Sequence, residues 1–319
     1  MNPLETIYLN DSIHTFPLPY PDMVLALGYF DGVHRAHQTL LETAKNIARN
    51  KNISFGVMTF HPHPKVVLSP TLSVDSFRYI TPVEEKKEQM KALGVDYLFI
   101  VKFDKAFASI APSTFVEQYI INLGVKHVVA GFDYTYGYKG EGDMASFPEH
   151  AKGKVSHTVI EKISENGEKI GSSQIRDGIE EGDMALVHRL LGRPYRMRGT
   201  VVHGEKRGRT IGFPTANIAV SEPYLFPKTG VYAVKLQVND RWYEGVCNVG
   251  YKPTFHEEKT ADPEIEVYIF DFHQNIYGKK VIVDWYEFIR SEQKFSSIDA
   301  LIAQMHRDVH VAQQFFRAN

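Results

Sequence analysis

The sequence contains one cysteine, Cys247, which excludes an intrachain disulfide and any multi-cysteine metal site. It lies in the apolar run GVCNVG, where packing rather than reactivity is expected. No apolar stretch approaches the roughly 20 residues needed to span a bilayer. The N-terminal MNPLETIYLND is acidic and polar where a secretory signal would be basic and then apolar, so a cytoplasmic protein without a membrane partner is expected. Net charge is only −2, from 36 Lys+Arg against 38 Asp+Glu. The chain thus lacks the global basic field that draws proteins to nucleic acid, and no such partner is expected. Low-complexity tracts are also missing, and with 43% hydrophobic and 23% charged residues the whole chain should fold.

What is present is length enough for two ordinary domains, 319 residues. Between Met23 and Ala130, apolar runs alternate with helical patterns: MVLALG, a helix near Arg35 to Arg49, SFGVMTF, a helix from Pro82, DYLFIV, a helix from Ser113, and VKHVVA. This order predicts a parallel sheet with crossover helices. Thr81, Pro82 and Glu84 read as N-cap, first-turn proline and capping box, and Phe115, Val116, Tyr119, Ile120 and Leu123 share one helical face. Two short helices should begin near Ser173 and Asp183, the second stopped by Gly192 and Pro194. Past them come six β-runs, RMRGTVVHG, FPTANIAV, GVYAVKLQV, RWYEGVCNVG, EIEVYIFDF and KVIVDWYEFIR, which suggest a small barrel. Ile298, Leu301, Ile302, Met305, Val309 and Phe315 then fall at helical spacing, as an amphipathic helix against it.

The segment RGRTIGFPTAN, residues 207–217, has the make-up of a phosphate loop without a Walker sequence. Gly208 and Gly212 let backbone approach a ligand closely, and Arg207 and Arg209 supply charge. Thr215 and Asn217 follow on a strand, where alternation turns both oxygens to one face for a hard cation such as Mg²⁺. Composition alone favours a surface turn entering a strand. Likewise Glu264 and Glu266 share a face of EIEVYIF, which by itself also fits a pair of solvated carboxylates.

The string GTVVHGEKRGRTIGFPTANI resembles the nucleotide-binding segment of the flavokinase family. The match continues through PKTGVYAV, VCNVGYKPTF, EIEVYIFDF, YGKKVIVDWYEFIR and EQKF. The resemblance implies that Thr215 and Asn217 bind the metal and ATP phosphates, with Arg207, Gly208 and Gly212 around them. It also implies that Glu266 is the base activating the ribityl 5′-hydroxyl of riboflavin. Tyr286, Arg290 and Phe295 could line the flavin site, because an isoalloxazine ring wants aromatic walls with a few fixed polar groups, or they could belong to the core.

Upstream, GYFDGVHRAHQTLL runs from the first central strand into a helix. It sets His34 and His37 one turn apart at that helix's N-terminus, where imidazoles and backbone N–H groups converge on an anion. The same pair could ligate zinc with His61 and His63, but a strand–loop–helix suits a nucleotide better. With TFHPHP, GFDYTYG and SSQIR, the segment resembles the HxGH nucleotidylyltransferases, and in particular the FMN adenylyltransferase half of bacterial bifunctional riboflavin kinase/FAD synthetases. The implied fold is a Rossmann-like nucleotidylyltransferase α/β domain over residues 1–188, followed by a flavokinase-type β-barrel with a C-terminal helix over 189–319.

On that resemblance His34 and His37 bind ATP phosphates and stabilise departing pyrophosphate. Asp133 helps place the nucleotide or flavin, and Ser172, Ser173 and Arg176 hold phosphates. ATP is the co-substrate, FMN and FAD are the products, Mg²⁺ is the cofactor, and a monomer or weak homo-oligomer is expected. Three positions differ from the family's usual residues: Ala36 and Gly171, where glycine and serine are usual, and Gly140, where arginine is usual. They keep open a paralogue with one activity, most plausibly the kinase. A non-catalytic flavin-binding regulator is the reading from a different class.

Overall fold

The computed structural model describes residues 3–10, 20–165, 167–204, 208, 211–251 and 262–319. The chain forms two compact units, Met1–Phe77 with Thr81–Gly171, and Arg78–Ile80 with Ser172–Asn319.

In the first unit six parallel strands, β1 (Glu5–Leu9), β2 (Met23–Leu27), β3 (Ser54–His61), β4 (Tyr97–Lys102), β5 (Val125–Gly131) and β6 (Ser156–Ile160), lie in the order β1-β4-β3-β2-β5-β6. The helices α1 (Arg35–Lys51), α2 (Val83–Ala92) and α3 (Pro112–Val116) are the expected crossovers, the last continuing as a π-helical turn over Glu117–Ile121. Every residue of β2 is buried, the mark of a central parallel strand covered on both faces. Met23, Leu25 and Leu27 face a core with Phe99, Phe115, Val116, Tyr119, Ile120 and Leu123, so the shared helical face is formed as expected. Val24 and Ala26 face Leu41, Ala44, Phe55 and Leu98 on the other side. The edge strands β1 and β6 were not expected, since each is short, half-exposed and polar on alternate positions.

Chain order reverses beside β2: β3 and β4 are laid down on one side, β5 and β6 on the other. In open α/β sheets ligands bind outside the carboxyl ends of strands at such a switch point. The loop after β2 is the one carrying His34.

In the second unit α4 (Ser172–Glu181) and α5 (Met184–Leu191) precede six antiparallel strands, all at the expected runs: β7 (Tyr195–Val202), β8 (Thr215–Val220), β9 (Gly230–Val238), β10 (Arg241–Gly250), β11 (Glu264–Ile269) and β12 (Lys280–Arg290). They close into a barrel in the order β7-β8-β11-β10-β9-β12. The Asp183 carboxylate caps α5 by accepting from Leu186 N–H at 2.9 Å, and Gly192 ends it at φ 70°. Compactness assigns α4 and α5 to this unit, ahead of the 188/189 division expected from the sequence. The physical reason is that Met184, Val187, Leu190 and Leu191 form a buried face and α5 lies against β7 and β12. The terminal helix α6 (Ile298–Ala318), capped by Ser297, packs on β9, β10 and β12.

Two local expectations are corrected. Thr81 does not cap α2: the N-cap position is Pro82, with no side-chain cap, because the Thr81 hydroxyl is taken by Gly32 N–H at 2.7 Å. In α6, Ile298 is 65% exposed and so drops out of the expected apolar face, whereas Leu301, Ile302, Met305, Val309 and Phe315 are half-buried as expected; the fully buried residues are Ala312 and Asp308, the latter paired with Arg290.

Leu191→Ala, which empties a fully buried site between α5 and the barrel, should lower stability by about 2–5 kcal/mol. Thermal or urea unfolding followed at the barrel tryptophans measures this, and an unchanged midpoint would contradict the packing described.

Candidate functional site

The barrel site is set by strand register. Asn217 on β8 stands opposite Glu266 on β11, Glu266 opposite Asn248 on β10, Asn248 opposite Val231 on β9, and Val231 opposite Arg290 on β12. Ile265, Val267 and Ile269 are buried, so alternation turns Glu264, Glu266 and Tyr268 to the barrel's outer face. There the Thr215 hydroxyl lies 3.5 Å from Glu266 Oε2. A cavity of about 380 Å³ opens beside this row, lined by Gly208, Thr215, Asn248, Glu266, Arg290 and Phe295 among others, with Leu301, Met305 and Val309 of α6 as its apolar wall. Its size is that of a small-molecule site. On its other side Thr215 borders a smaller hollow of about 80 Å³ with Pro214, Phe272, Asn275 and Tyr277.

Glycine backbone fits this site closely. A Cβ at Gly204 would collide with the Asn217 side-chain amide, and one at Gly208 with the Phe213 carbonyl. The Gly208 carbonyl accepts from Ile211 N–H at 3.2 Å and Phe213 N–H at 2.8 Å, folding the loop onto itself, and Gly212 adopts φ 84°. Arg207 and Arg209 lie outside the described residues. The Arg290 guanidinium makes a two-pronged bond to buried Asp308 of α6, Nε to Oδ1 at 2.9 Å and Nη2 to Oδ2 at 2.7 Å, and stands 5.8 Å from the Phe295 ring centre. Tyr286 does not line the cavity; its ring packs edge-on against Phe315 and Phe316. Asn248 was not singled out from the sequence, since nothing in VCNVG marks it until register sets it beside Glu266. Cys247 next to it is fully buried, and burial raises its thiol well above the usual range, so it packs.

The sheet site is built on a strained turn. Phe30 and Val33, both essentially buried, have φ 56° and 43°, with Gly32 at 89° between them. Such conformations cost non-glycine residues on the order of 1–3 kcal/mol each and persist only where surroundings over-determine them. The surroundings are specific. Gly32 N–H donates to Thr81 Oγ1, Thr81 N–H donates to Asp31 Oδ1 at 3.0 Å, and the Tyr29 carbonyl accepts from Thr59 Oγ1 and Lys86 Nζ, each at 2.8 Å. The turn delivers His34 to the N-cap of α1, where its Nδ1 accepts from His37 N–H at 3.3 Å. The two imidazoles stack with centroids 3.6 Å apart and planes 15° apart.

The electrostatics keep His37 neutral. Burial first, then the charges of His34, Lys86 and Lys169, hold it well below the ordinary imidazole value. Its Nδ1 is buried without a hydrogen-bond partner among the described residues. Burial and Lys86 also lower His61. His63 caps the short helix Pro64–Leu68 and packs at a tilt against the Tyr29 ring, centroids 4.0 Å apart. Asp133, just past β5, pairs with Lys169. Lys86, buried on α2, escaped the sequence reading, because VEEKKEQMK is a polar helical stretch with no sign of which lysine turns inward.

Ser172, Ser173 and Arg176 stand on the first turns of α4 in the second unit, with Arg176 Nη1 donating to the Arg78 carbonyl at 2.8 Å. Of the three departures, Ala36 is half-buried in the first turn of α1. Gly140 has φ 70°, a conformation that disfavours arginine or any other side chain, and open space surrounds Gly171.

A histidine-tipped turn at the switch point of a parallel sheet, joined in one chain to a closed barrel with a carboxylate beside a cavity of small-molecule size, defines a two-domain transferase of the nucleotide-using class. A family model described as FAD synthetase matches residues 19–174, and one described as riboflavin kinase matches residues 191–316. The bifunctional riboflavin kinase/FMN adenylyltransferase of Bacillus subtilis is 48% identical over 313 residues, 98% of each chain. The Escherichia coli protein of the same name is 34% identical, covering 93% of this chain and 94% of its own. This chain therefore belongs to the bifunctional riboflavin kinase/FMN adenylyltransferase family. A solved Streptococcus pneumoniae structure titled macrolide-efflux protein matches with a TM-score of 0.87 and 36% identity, covering 97% of this chain and 98% of its own. Among the described residues of this chain, no helix is long and apolar enough to cross a membrane.

Gly204→Ala should displace the Asn217 amide and cut riboflavin phosphorylation by about tenfold or more, with little change in secondary structure by circular dichroism; unimpaired phosphorylation would contradict that contact. His37 should show no titration near pH 6.5 in ring-proton NMR, because its depressed value leaves it uncharged until the pH falls well below that. A midpoint at or above 6.5 would contradict the burial argument.

Proposed function

We propose that the chain makes FAD from riboflavin in two ATP-dependent steps, phosphorylation at the barrel cavity and adenylyl transfer at the switch-point turn. The observation that carries this reading is the cross-strand row Asn217, Glu266 and Asn248, of which Glu266 and Asn248 line a cavity of about 380 Å³. Glu266 takes the proton of the ribityl 5′-hydroxyl as that oxygen bonds to the γ-phosphorus of ATP and the bond to ADP breaks. Thr215 borders both the cavity and the smaller hollow. A terminal phosphate of the nucleotide reaching the hollow would therefore meet the flavin's ribityl chain at Thr215. Arg207, Gly208 and Gly212 contact its phosphates.

The donor set beside Glu266 fits magnesium. Hydroxyl and amide oxygens from Thr215 and Asn217 next to one carboxylate suit a small hard cation that shares its shell with phosphates and water. When bound, the ion supplies charge neutralisation at the transferring phosphoryl group. Phe295 and the apolar residues of α6 wall the isoalloxazine, with Arg290 held in place by Asp308. Tyr286, packed on Phe315 and Phe316, takes no part in that wall.

In the second step an FMN phosphate oxygen bonds to the α-phosphorus of another ATP, and pyrophosphate leaves. His34, neutral His37 and the first N–H groups of α1 receive the phosphates, and Asp133 places the nucleotide or flavin. Ser172, Ser173 and Arg176 hold phosphates from α4. The functional division is kept at 188/189, as the resemblance implies, although α4 and α5 pack with the barrel. The family match across both halves supports two activities over one, and dependence on ATP suits a cytoplasmic setting.

Purified chain given riboflavin, ATP and Mg²⁺ should produce FMN and then FAD, resolved by chromatography; FMN without FAD would remove the second activity, and neither product would overturn the proposal. Glu266→Gln should lower FMN formation by about a hundredfold or more while conversion of supplied FMN to FAD stays within about twofold. Parallel loss of both would contradict separate sites.

A further inference from the structure

Lys86 is 4% exposed, and the assignments above give it no task. Placing an ammonium group in a core costs far more than placing a leucine or methionine there, so a lysine at such a position has to do something an apolar residue cannot. Its contacts converge on one residue. Nζ donates to the Tyr29 carbonyl at 2.8 Å, lies 4.6 Å from the centre of the Tyr29 ring, and donates at 3.2 Å to Thr59 Oγ1, which itself donates to the Tyr29 carbonyl. Tyr29 immediately precedes Phe30, the first left-handed residue of the turn.

We propose that Lys86 is a positioning residue for adenylyl transfer, its buried ammonium group holding the turn over residues 29–33 so that His34 and His37 face the phosphates of ATP. This rests on reading the switch-point turn as the adenylyltransferase site. Side chains from outside the turn fasten it, among them Thr81 on Gly32, Gln38 on the Val33 carbonyl, Thr59 on the Tyr29 carbonyl, and Lys86 on that same carbonyl. Of these only Lys86 carries charge. A cation reaching the turn from α2 does two things at once. It ties a strained backbone to a rigid helix, and it adds positive potential where pyrophosphate would leave.

The charge also bears on His37, which is faced by His34 at the cap of its own helix, Lys86 from α2 and Lys169 from the short strand Glu168–Lys169. Asp31 is the acidic group acting on Lys86. Burial brings Lys86 down from its ordinary value to about 8, partly offset by Asp31. Adenylyl transfer should therefore decline as the pH rises through about 8, where the ammonium gives up its proton, whereas an arginine in its place would stay charged.

The test uses the full chain, with riboflavin phosphorylation at the barrel as an internal control for folding. In Lys86→Met, conversion of FMN to FAD should fall by at least about tenfold with a raised KM for ATP, and His37 should titrate at higher pH in NMR. Riboflavin phosphorylation should stay within about twofold. Lys86→Arg should restore much of the rate and lose the alkaline decline near pH 8. Wild-type adenylyl transfer in Lys86→Met would overturn the proposal, as would a loss that leaves both the His37 titration and the KM for ATP unmoved. Should Lys86→Met also lose phosphorylation through misfolding, Lys86→Arg decides: an alkaline limb persisting near pH 8 overturns the assignment. If the unaltered chain forms no FAD, the adenylyltransferase reading itself fails, and the His37 titration in the two variants still reports whether Lys86 acts on the turn.

Discussion

The barrel site depends on one register. Because Asn217, Glu266 and Asn248 stand directly opposite one another on β8, β11 and β10, a carboxylate falls between two amides, with the Thr215 hydroxyl beside it, and Thr215, Glu266 and Asn248 line the cavity. A slip of one residue in β11 would turn Glu266 inward and carry Val267 out of the core. The burial of Ile265, Val267 and Ile269 forbids that slip. The apolar alternation of β11 thus positions a carboxylate it never touches. The cavity's far wall is fastened differently, by the Arg290–Asp308 pair, which joins the end of β12 to the middle of α6. An ion pair this buried is a matter of geometry more than of net stabilisation, since each charge must give up its water.

The sheet site uses the opposite strategy. Its strands place nothing directly; a turn beyond β2 does, and that turn is held in conformations that Phe30 and Val33 would not choose alone. Hydrogen bonds from Thr81, Thr59 and Lys86 supply the constraint. Since Thr81 lies just before α2, Lys86 on its first turn and Thr59 on β3, the sheet's own topology brings these fasteners to the turn. The reward is a stacked histidine pair beside helix N–H groups, His34 buried and His37 half-buried, with His37 kept neutral by desolvation and neighbouring cations.

Much of this architecture was legible in the chain. Strands such as MVLAL and EIEVYI announce themselves by continuous or alternating apolar residues, and Asp183 and Gly192 bracket their helix by well-understood capping chemistry. What escaped has common causes. The edge strands β1 and β6 carry little apolar signal because one side of each meets solvent. Thr81 looked like a helix cap because its neighbours Pro82 and Glu84 fit one, yet a tertiary partner, the Gly32 amide, takes its hydroxyl. For Tyr286 the chain left flavin wall and core equally open, and its packing on Phe315 and Phe316 follows from which residues of α6 reach β12, a pairing that no local pattern records.

Sequence by itself determined the two-part plan, the central strands and crossover helices, the six barrel runs and the residue types at both sites. These follow from periodicity, capping and turn chemistry, which are local. Only the tertiary structure decided that Asn248 joins Glu266, that Arg290 is committed to Asp308, that α4 and α5 pack with the barrel, and that Lys86 turns inward beneath Tyr29. Each of those is a pairing between segments distant in the chain. A side chain's direction there is chosen by which partner relieves an unmet hydrogen bond or buried charge, and no run of neighbouring residues records that choice.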